Sequence, residues 1–408
     1  MRYVVSGKSL FLALLFFVFI AGLIHAQTAT PPTLKRSQQS PNAAPGEGNG
    51  TPGLMRGPKM SGPPQPFPEA MAIAPPKNTE ELKSATEELA HKLSAAGRFS
   101  GSVLLAVDGR AVVENGWGDA DRKLKTTNTA ETAYDVGSIG KLFTQIAILQ
   151  LLDAGKLTLN DPFAKYLPDY PNHEISEKVT IRQLLLHTSG MGDFLDSVTP
   201  ETNLSALREL KDFLPLFDQK PLAFPPGTQV QYSNAGYIVL GMVVEAAGGE
   251  EYYKYVERQI LKPAGMTRSG FFDRTHLPSR VARSYDGGQD VTQMHPVRGS
   301  SAGGLQATVG DLWRLVQAIN AGKLLKGESV QVLRDLIPHP PGASPPADAT
   351  KLEAYGIAGG APGVSAQLAV DPSGRFTRIV LCNSTPPMAM AMAATIGQWI
   401  KQMPTEGR

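Results

Sequence analysis

Ser138-Ile139-Gly140-Lys141, at the head of the apolar run Leu142-Phe143-Thr144-Gln145-Ile146-Ala147-Ile148-Leu149, places a hydroxyl and an amine one helical turn apart. Residues three apart share one face of an α-helix, so both side chains point into one cleft. A serine hydroxyl becomes a good nucleophile when an adjacent base takes its proton, and a lysine can be that base when its surroundings favour the neutral amine. Ser138 falls in the first turn, where free backbone N–H groups and the positive end of the helix dipole favour a developing oxyanion. The tetrad alone has little specificity. Ordinary residue usage gives about one S-x-x-K by chance in a chain of this length, and the plain alternative is an N-cap serine beside a solvated lysine.

A second element adds weight. After the Pro225-Pro226-Gly227 turn, Tyr232-Ser233-Asn234 runs directly into the apolar stretch Ala235 to Val244, which ends at Gly248-Gly249. This puts a phenol and an amide at a loop-to-helix junction. A tyrosine beside a lysine can relay the serine proton to a leaving group, and the asparagine can bind a substrate amide or orient the lysine. The other Y-x-N, Tyr170-Pro171-Asn172, sits in a proline-bounded connector with no helix expected behind it and reads as structural.

With these two motifs roughly ninety residues apart, the chain resembles the class C β-lactamase, DD-peptidase and esterase family of serine hydrolases. Asp161-Pro162, the stretch Ile181 to Met191 containing His187-Thr188-Ser189-Gly190, Leu261-Lys262-Pro263-Ala264-Gly265-Met266 and Ser301-Ala302-Gly303-Gly304-Leu305 resemble further segments of that family, in its usual order. The resemblance covers about residues 80 to 400. It implies an α+β, β-lactamase-like fold in which Ser138 is acylated and Lys141 and Tyr232 share the base and acid roles. By the same resemblance Asn234, Gly359 and Gly360 belong to the substrate-binding set.

The third family motif departs from the pattern. Members usually carry Lys-Thr-Gly or His-x-Gly on an edge strand, followed by Gly-x-Pro-Gly; the matching stretch here is Gly356-Ile357-Ala358-Gly359-Gly360-Ala361-Pro362-Gly363. Ile357 stands where the basic residue is expected, which puts recognition of β-lactam and peptide carboxylates in question. The backbone part is retained. Gly359 and Gly360 allow substrate to approach the strand, and the resemblance implies that the N–H near Gly360 pairs with that of Ser138 as an oxyanion hole. Arg298 and Lys351 are the nearest candidates for a compensating cation.

Composition bounds the remainder. Residues 1–26 read as a secretory signal: Arg2 and Lys8 are basic, Leu10 to Ile24 is apolar, and Ala26 precedes the expected cut before Gln27. The alternative is a retained anchor, although the apolar run is shorter than the roughly twenty residues a spanning helix needs. Cleavage removes two of the 39 basic residues and leaves 37 against 37 acidic ones. A neutral mature chain gives no case for nucleic-acid binding. The expected location is periplasmic or secreted, with membrane contact only if the segment is retained.

Cys382, the only cysteine, lies in the apolar run Arg378-Ile379-Val380-Leu381-Cys382 and reads as a buried strand residue without an intrachain disulfide. His91, His173, His187, His276, His295 and His339 are scattered, so no metal or other cofactor is implied.

Residues 27–77 are rich in Pro, Gly, Ser and Gln and read as a disordered linker. The hydrolase domain is then 78–403. A helix from Asn78 or Thr79 to about Ala96 is stopped by Gly97, and Ser102 to Val107 and Ala111 to Trp117 form a hairpin about Asp108-Gly109. Near the other end, Leu352 to Ala358, Val364 to Val370 and Phe376 to Asn383 read as strands before a helix from about Pro387 to Gln402. The two ends thus build an antiparallel sheet of about five strands flanked by terminal helices, while about 130–310 supplies a mainly helical lobe.

Two other serines compete for the nucleophile role. Gly299-Ser300-Ser301-Ala302-Gly303 matches G-x-S-x-G, but that elbow demands a strand before the serine and a helix after it, and Pro296 and Gly303-Gly304 oppose both. His187 and Ser189, two apart at a helix end that Gly190 stops, point in different directions. The chain therefore reads as an exported serine hydrolase acting through an acyl-enzyme on Ser138 and cleaving ester, amide or β-lactam bonds of a small-molecule ester, β-lactam or peptide substrate. Ile357 favours esters. The alternative is a catalytically inactive relative that binds peptidoglycan fragments or a partner through the same cleft. Oligomeric state is not legible.

Overall fold

A computed structural model of the chain describes residues 65, 67–336 and 350–404. The signal segment, residues 27–64 of the linker and His339 lie outside the described residues.

Helix α1 spans Thr79–Ala95, with the Asn78 side chain accepting from the Glu81 N–H at its start and Gly97 at φ 68° beyond its end. Leu82, Ala85, Leu89 and Leu93 recur at helical spacing and form its buried stripe. Strands β1 (Gly101–Val107) and β2 (Arg110–Trp117) follow as a hairpin, turning at Asp108 and Gly109 with φ of 49° and 75°. At the far end come β3 (Tyr355–Ala361), β4 (Val364–Val370), β5 (Phe376–Cys382) and the C-terminal helix Met388–Gln402. The sheet order is β2-β1-β5-β4-β3, antiparallel throughout. Gly101 pairs with Cys382 and Val107 with Phe376, so the chain ends close one sheet.

The sheet is buried on both faces. Val103, Leu105, Val107, Phe376, Val380 and Cys382 pack toward the terminal helices, whereas their neighbours Leu104, Ala106, Ile379 and Leu381 face the helical lobe. Truncating one such leucine to alanine costs about 2–5 kcal/mol. Burial also raises the pKa of the Cys382 thiol, consistent with a packing role.

The sequence-based boundaries need four corrections. The third motif strand runs from Tyr355 to Ala361 rather than from Leu352 to Ala358, because pairing of Val370 with Tyr355 and Val364 with Ala361 overrides the poor strand propensity of Gly359-Gly360. The packed region begins at Phe67 rather than Asn78: Phe67, Ala70 and Ile73 bury together in the cluster behind the sheet. The helix Ile181–Leu185 ends before His187, which itself adopts φ 58°, and Gly190 lies in the loop beyond. Asn172 caps a short helix, His173–Lys178, so a helix does follow Tyr170-Pro171-Asn172; buried Tyr170 packs edge-on to Phe163, which keeps its structural role.

The helical lobe is built on α2 (Lys141–Asp153) and α3 (Asn234–Gly248), which pack on each other and are apolar nearly all round and buried, while the helix Val309–Asn320 packs against β1 and β5 of the sheet. Among the described residues no helix is long and apolar enough to cross a membrane.

Candidate active site

The nucleophile candidate lies one step before α2, in the 3-10 turn Gly137–Gly140, and not in the first α-helical turn. A short ladder of Tyr134–Asp135 with Gln306–Ala307 delivers this turn to the base of the cleft. Gly137 adopts φ 52°, and a Cβ there would lie 2.8 Å from the Gly360 nitrogen; at Gly359 a Cβ would collide with the Val136 carbonyl. Glycine at both positions therefore lets β3 lie directly against the turn carrying Ser138.

Tyr232 and Asn234 arrive from the head of α3, where the Ser233 hydroxyl caps the helix by accepting from the Gly236 N–H. The Ser138 Oγ and Tyr232 OH share a hydrogen bond of 2.6 Å. Lys141 Nζ donates to Ser138 Oγ at 3.5 Å and to Asn234 Oδ1 at 2.6 Å, and also to the Ala302 carbonyl. Three acceptors surround this one amine and fix it beside the hydroxyl. Lys141 is only 3% exposed, whereas Tyr232 is 47% exposed, so the phenol stands at the mouth and the amine behind it.

Residues outside the two motifs complete this arrangement. Asn234 Nδ2 donates to both carboxylate oxygens of Asp193, at 2.9 and 3.1 Å, which fixes its amide with the oxygen toward Lys141. Its amide is thus committed to orienting the lysine. His187 lies between the rings of Tyr232 and Tyr237, with centroids 4.6 and 5.1 Å away, and its Nδ1 accepts from the Ser233 N–H. Desolvation, reinforced by the charge of Lys141, lowers its pKa to about 3 and keeps the ring neutral. Lys141 also sits over the Tyr232 ring at 4.7 Å. The Ser301 to Leu305 stretch wraps the nucleophile turn: Ala302 supplies the lysine acceptor, and the Gly304 N–H donates to the Gly137 carbonyl.

The competing elbow is not formed. Ser300 and Gly303 close a tight turn on each other, and Ser301 is fully buried against Gly241. Among the described residues no cluster of His, Cys, Asp or Glu could hold a metal.

The cleft beside Ser138, a cavity of about 110 Å³, has Phe194, Leu195 and Phe213 on its apolar side and Gly360 and Ala361 on the strand side. Ile357 does not line it. That side chain is partly buried against the main core on β3. Arg298 does line the cleft, but its guanidinium lies 3.5 Å over the Tyr253 ring and donates to Glu209 at 3.5 Å. Lys351 is not among the lining residues.

A family model described as Beta-lactamase matches residues 82–399. The chain belongs to the Beta-lactamase family of serine hydrolases. It is 31% identical over 264 residues to "Putative penicillin-binding protein PbpX" of Bacillus subtilis (strain 168), covering 62% of this chain and 64% of that protein. The chain thus spans less than two thirds of the length of that relative. A penicillin-binding protein from Bacillus halodurans has a crystal structure similar to this one, with a TM-score of 0.66, 33% identity, and coverage of 75% of this chain and 98% of that one. The D-amino acid amidase from Ochrobactrum anthropi SV3 shares the fold, at a TM-score of 0.66 and 21% identity over 79% of this chain and 99% of that one. The family assignment and the α+β fold, with its five-stranded antiparallel sheet, agree with the expectations drawn from the motifs.

Proposed function

We propose that this chain is an exported serine hydrolase that forms an acyl-enzyme on Ser138 and prefers neutral esters. The observation that carries the reading is the contact of one hydroxyl, Ser138 Oγ, with both Tyr232 OH and Lys141 Nζ. In the first half-reaction, Ser138 Oγ bonds to the substrate carbonyl carbon and its proton passes to the Tyr232–Lys141 pair. The carbonyl oxygen becomes an oxyanion facing the N–H groups of Ser138 and Gly360. Collapse breaks the bond to the leaving group, which takes the proton back. Water repeats the sequence on the acyl-serine, and Ser138 is released with the acid product.

The ester preference rests on Ile357 in place of a cation and on the engagement of Arg298 with Glu209 and Tyr253. The order of charge, apolar run and small residue in 1–26 supports export. Intact contacts among Ser138, Lys141 and Tyr232 favour catalysis over the inactive binding reading. The test is steady-state hydrolysis of p-nitrophenyl acetate beside a carboxylate-bearing cephalosporin. Ester turnover that exceeds cephalosporin turnover supports the proposal, and efficient cephalosporin hydrolysis contradicts the preference.

A further inference from the structure

The cleft carries a second set of buried polar groups that the acyl-transfer steps do not use. Asp135, Arg274 and His295 all line the cavity, and none is hydrogen-bonded to Ser138 Oγ, Lys141 or Tyr232. Asp135 Oδ1 accepts from the Gly137 N–H at 2.8 Å, directly on the turn that aims the Ser138 N–H. Its other oxygen pairs with Arg274, which is 4% exposed and whose Nη1 donates to the Pro296 carbonyl at 2.5 Å. The next residue back, His295, is buried and donates from Nε2 to the Pro362 carbonyl at 3.0 Å. Pro362 follows the last residue of β3 and stands two positions beyond Gly360.

One connected buried unit therefore grips both supports of the oxyanion hole, with Asp135 on the serine turn and His295 on the end of the strand. We propose that Asp135, Arg274 and His295 are positioning residues that set the separation of the Ser138 and Gly360 N–H groups, an inference that rests on acyl transfer at Ser138. Burial and the neighbouring Arg274 lower the pKa of His295 to about 4, offset in part by Asp135, so the imidazole stays a neutral donor of fixed tautomer. The buried ion pair suits this role because its geometry is enforced by the cost of separating the charges. Oxyanion stabilisation depends on donors being aimed at the developing charge, and a displaced donor loses that benefit without weakening ground-state binding.

The test compares His295→Leu, which removes the donor to Pro362, with His295→Gln, which keeps an N–H donor, and Asp135→Ala with Asp135→Asn. Rates are taken per molecule competent for fluorophosphonate labelling, with p-nitrophenyl acetate as substrate and phenylboronic acid as a tetrahedral mimic. The expected result is a fall in kcat of about 10-fold to 100-fold in His295→Leu and Asp135→Ala, below or near the loss of a direct oxyanion donor, with KM within about twofold. Boronate affinity should fall in parallel; His295→Gln should recover most of both, whereas Asp135→Asn, which keeps the acceptor for the Gly137 N–H but breaks the pair with Arg274, should recover only part. Unchanged kcat and boronate affinity in the Leu and Ala variants overturn the positioning role, as does a rise in KM alone. If those two variants do not fold, full wild-type boronate affinity in Arg274→Lys, which cannot reproduce the forked pairing, overturns it as well. A wild-type protein that forms no acyl-enzyme on Ser138 overturns the underlying mechanism and this inference together.

Discussion

Asn234 accepts a 2.6 Å hydrogen bond from Lys141 while its amide nitrogen is held by Asp193. The asparagine thereby converts a distant carboxylate into a fixed acceptor for the amine beside the nucleophile. Asn234→Ala removes that acceptor and leaves the buried Asp193 carboxylate without its amide donor. The expected outcome is a loss of about 10-fold to 100-fold in kcat on a small ester, as for a mispositioned general base. Stability should fall by about 1–3 kcal/mol. Stopped-flow acylation and urea unfolding measure the two effects separately, and an unaltered acylation rate would remove Asn234 from the positioning of Lys141.

Two buried histidines make stability depend on pH. In the unfolded chain each binds a proton below about 6.5, whereas in the folded protein His187 does so only below about 3 and His295 below about 4. Desolvation is the main cause for both, with Lys141 and Arg274 adding to it. Between those values the unfolded state holds more protons, so stability present above about pH 6.5 is lost as pH falls. The slope is at most about 1.4 kcal/mol per pH unit for each histidine. Urea midpoints near pH 7 and pH 5 should therefore differ, with the lower value at pH 5, and His187→Gln should flatten the difference.

Ile357 tests the meaning of the altered third motif. It lies on β3 two residues before Gly359, packed partly into the core. A missing charge-assisted hydrogen bond to a substrate carboxylate is worth roughly 1.5–3 kcal/mol, or about 10-fold to 100-fold in relative rate. Ile357→His or Ile357→Lys should improve cephalosporin turnover relative to p-nitrophenyl ester turnover. An unaltered ratio in both folded variants, read from kcat/KM, would show that this position does not govern carboxylate recognition.

What could be read beforehand follows the range of the interactions. Ser138 and Lys141 are three residues apart, so local helical geometry already brings them together, and the loop-to-helix junction at Tyr232 was visible in the Pro-Gly turn and the apolar run. Their meeting with Asp193, His187 and the Ala302 carbonyl depends on tertiary packing that joins segments 41 to 161 residues apart, for which single-sequence periodicity has no signal. In the sequence His187 stands near Ser189, whereas in the fold its partners are the Tyr232 and Tyr237 rings. The N-terminal boundary is not legible in the sequence because Phe67, Ala70 and Ile73 are sparse apolar residues in a Pro-rich stretch and become meaningful only against the back of the sheet.

Lys141 and Tyr232 share the hydroxyl of Ser138, and each should matter on its own. Lys141→Ala and Tyr232→Phe are expected to lower kcat/KM for p-nitrophenyl acetate by about 100-fold or more, as loss of a general base or acid does. Unchanged rates in both variants would remove the pair from the mechanism.

The most direct measurement is the intact mass of the protein after incubation with a fluorophosphonate, compared between wild type and Ser138→Ala, with peptide mapping of the adduct. Wild type should gain one adduct on Ser138. The alanine variant should gain none while remaining folded, because Ser138 lies in a turn whose side chain caps no helix. An unlabelled wild type, or an adduct that persists in Ser138→Ala, would contradict nucleophilic catalysis by this serine.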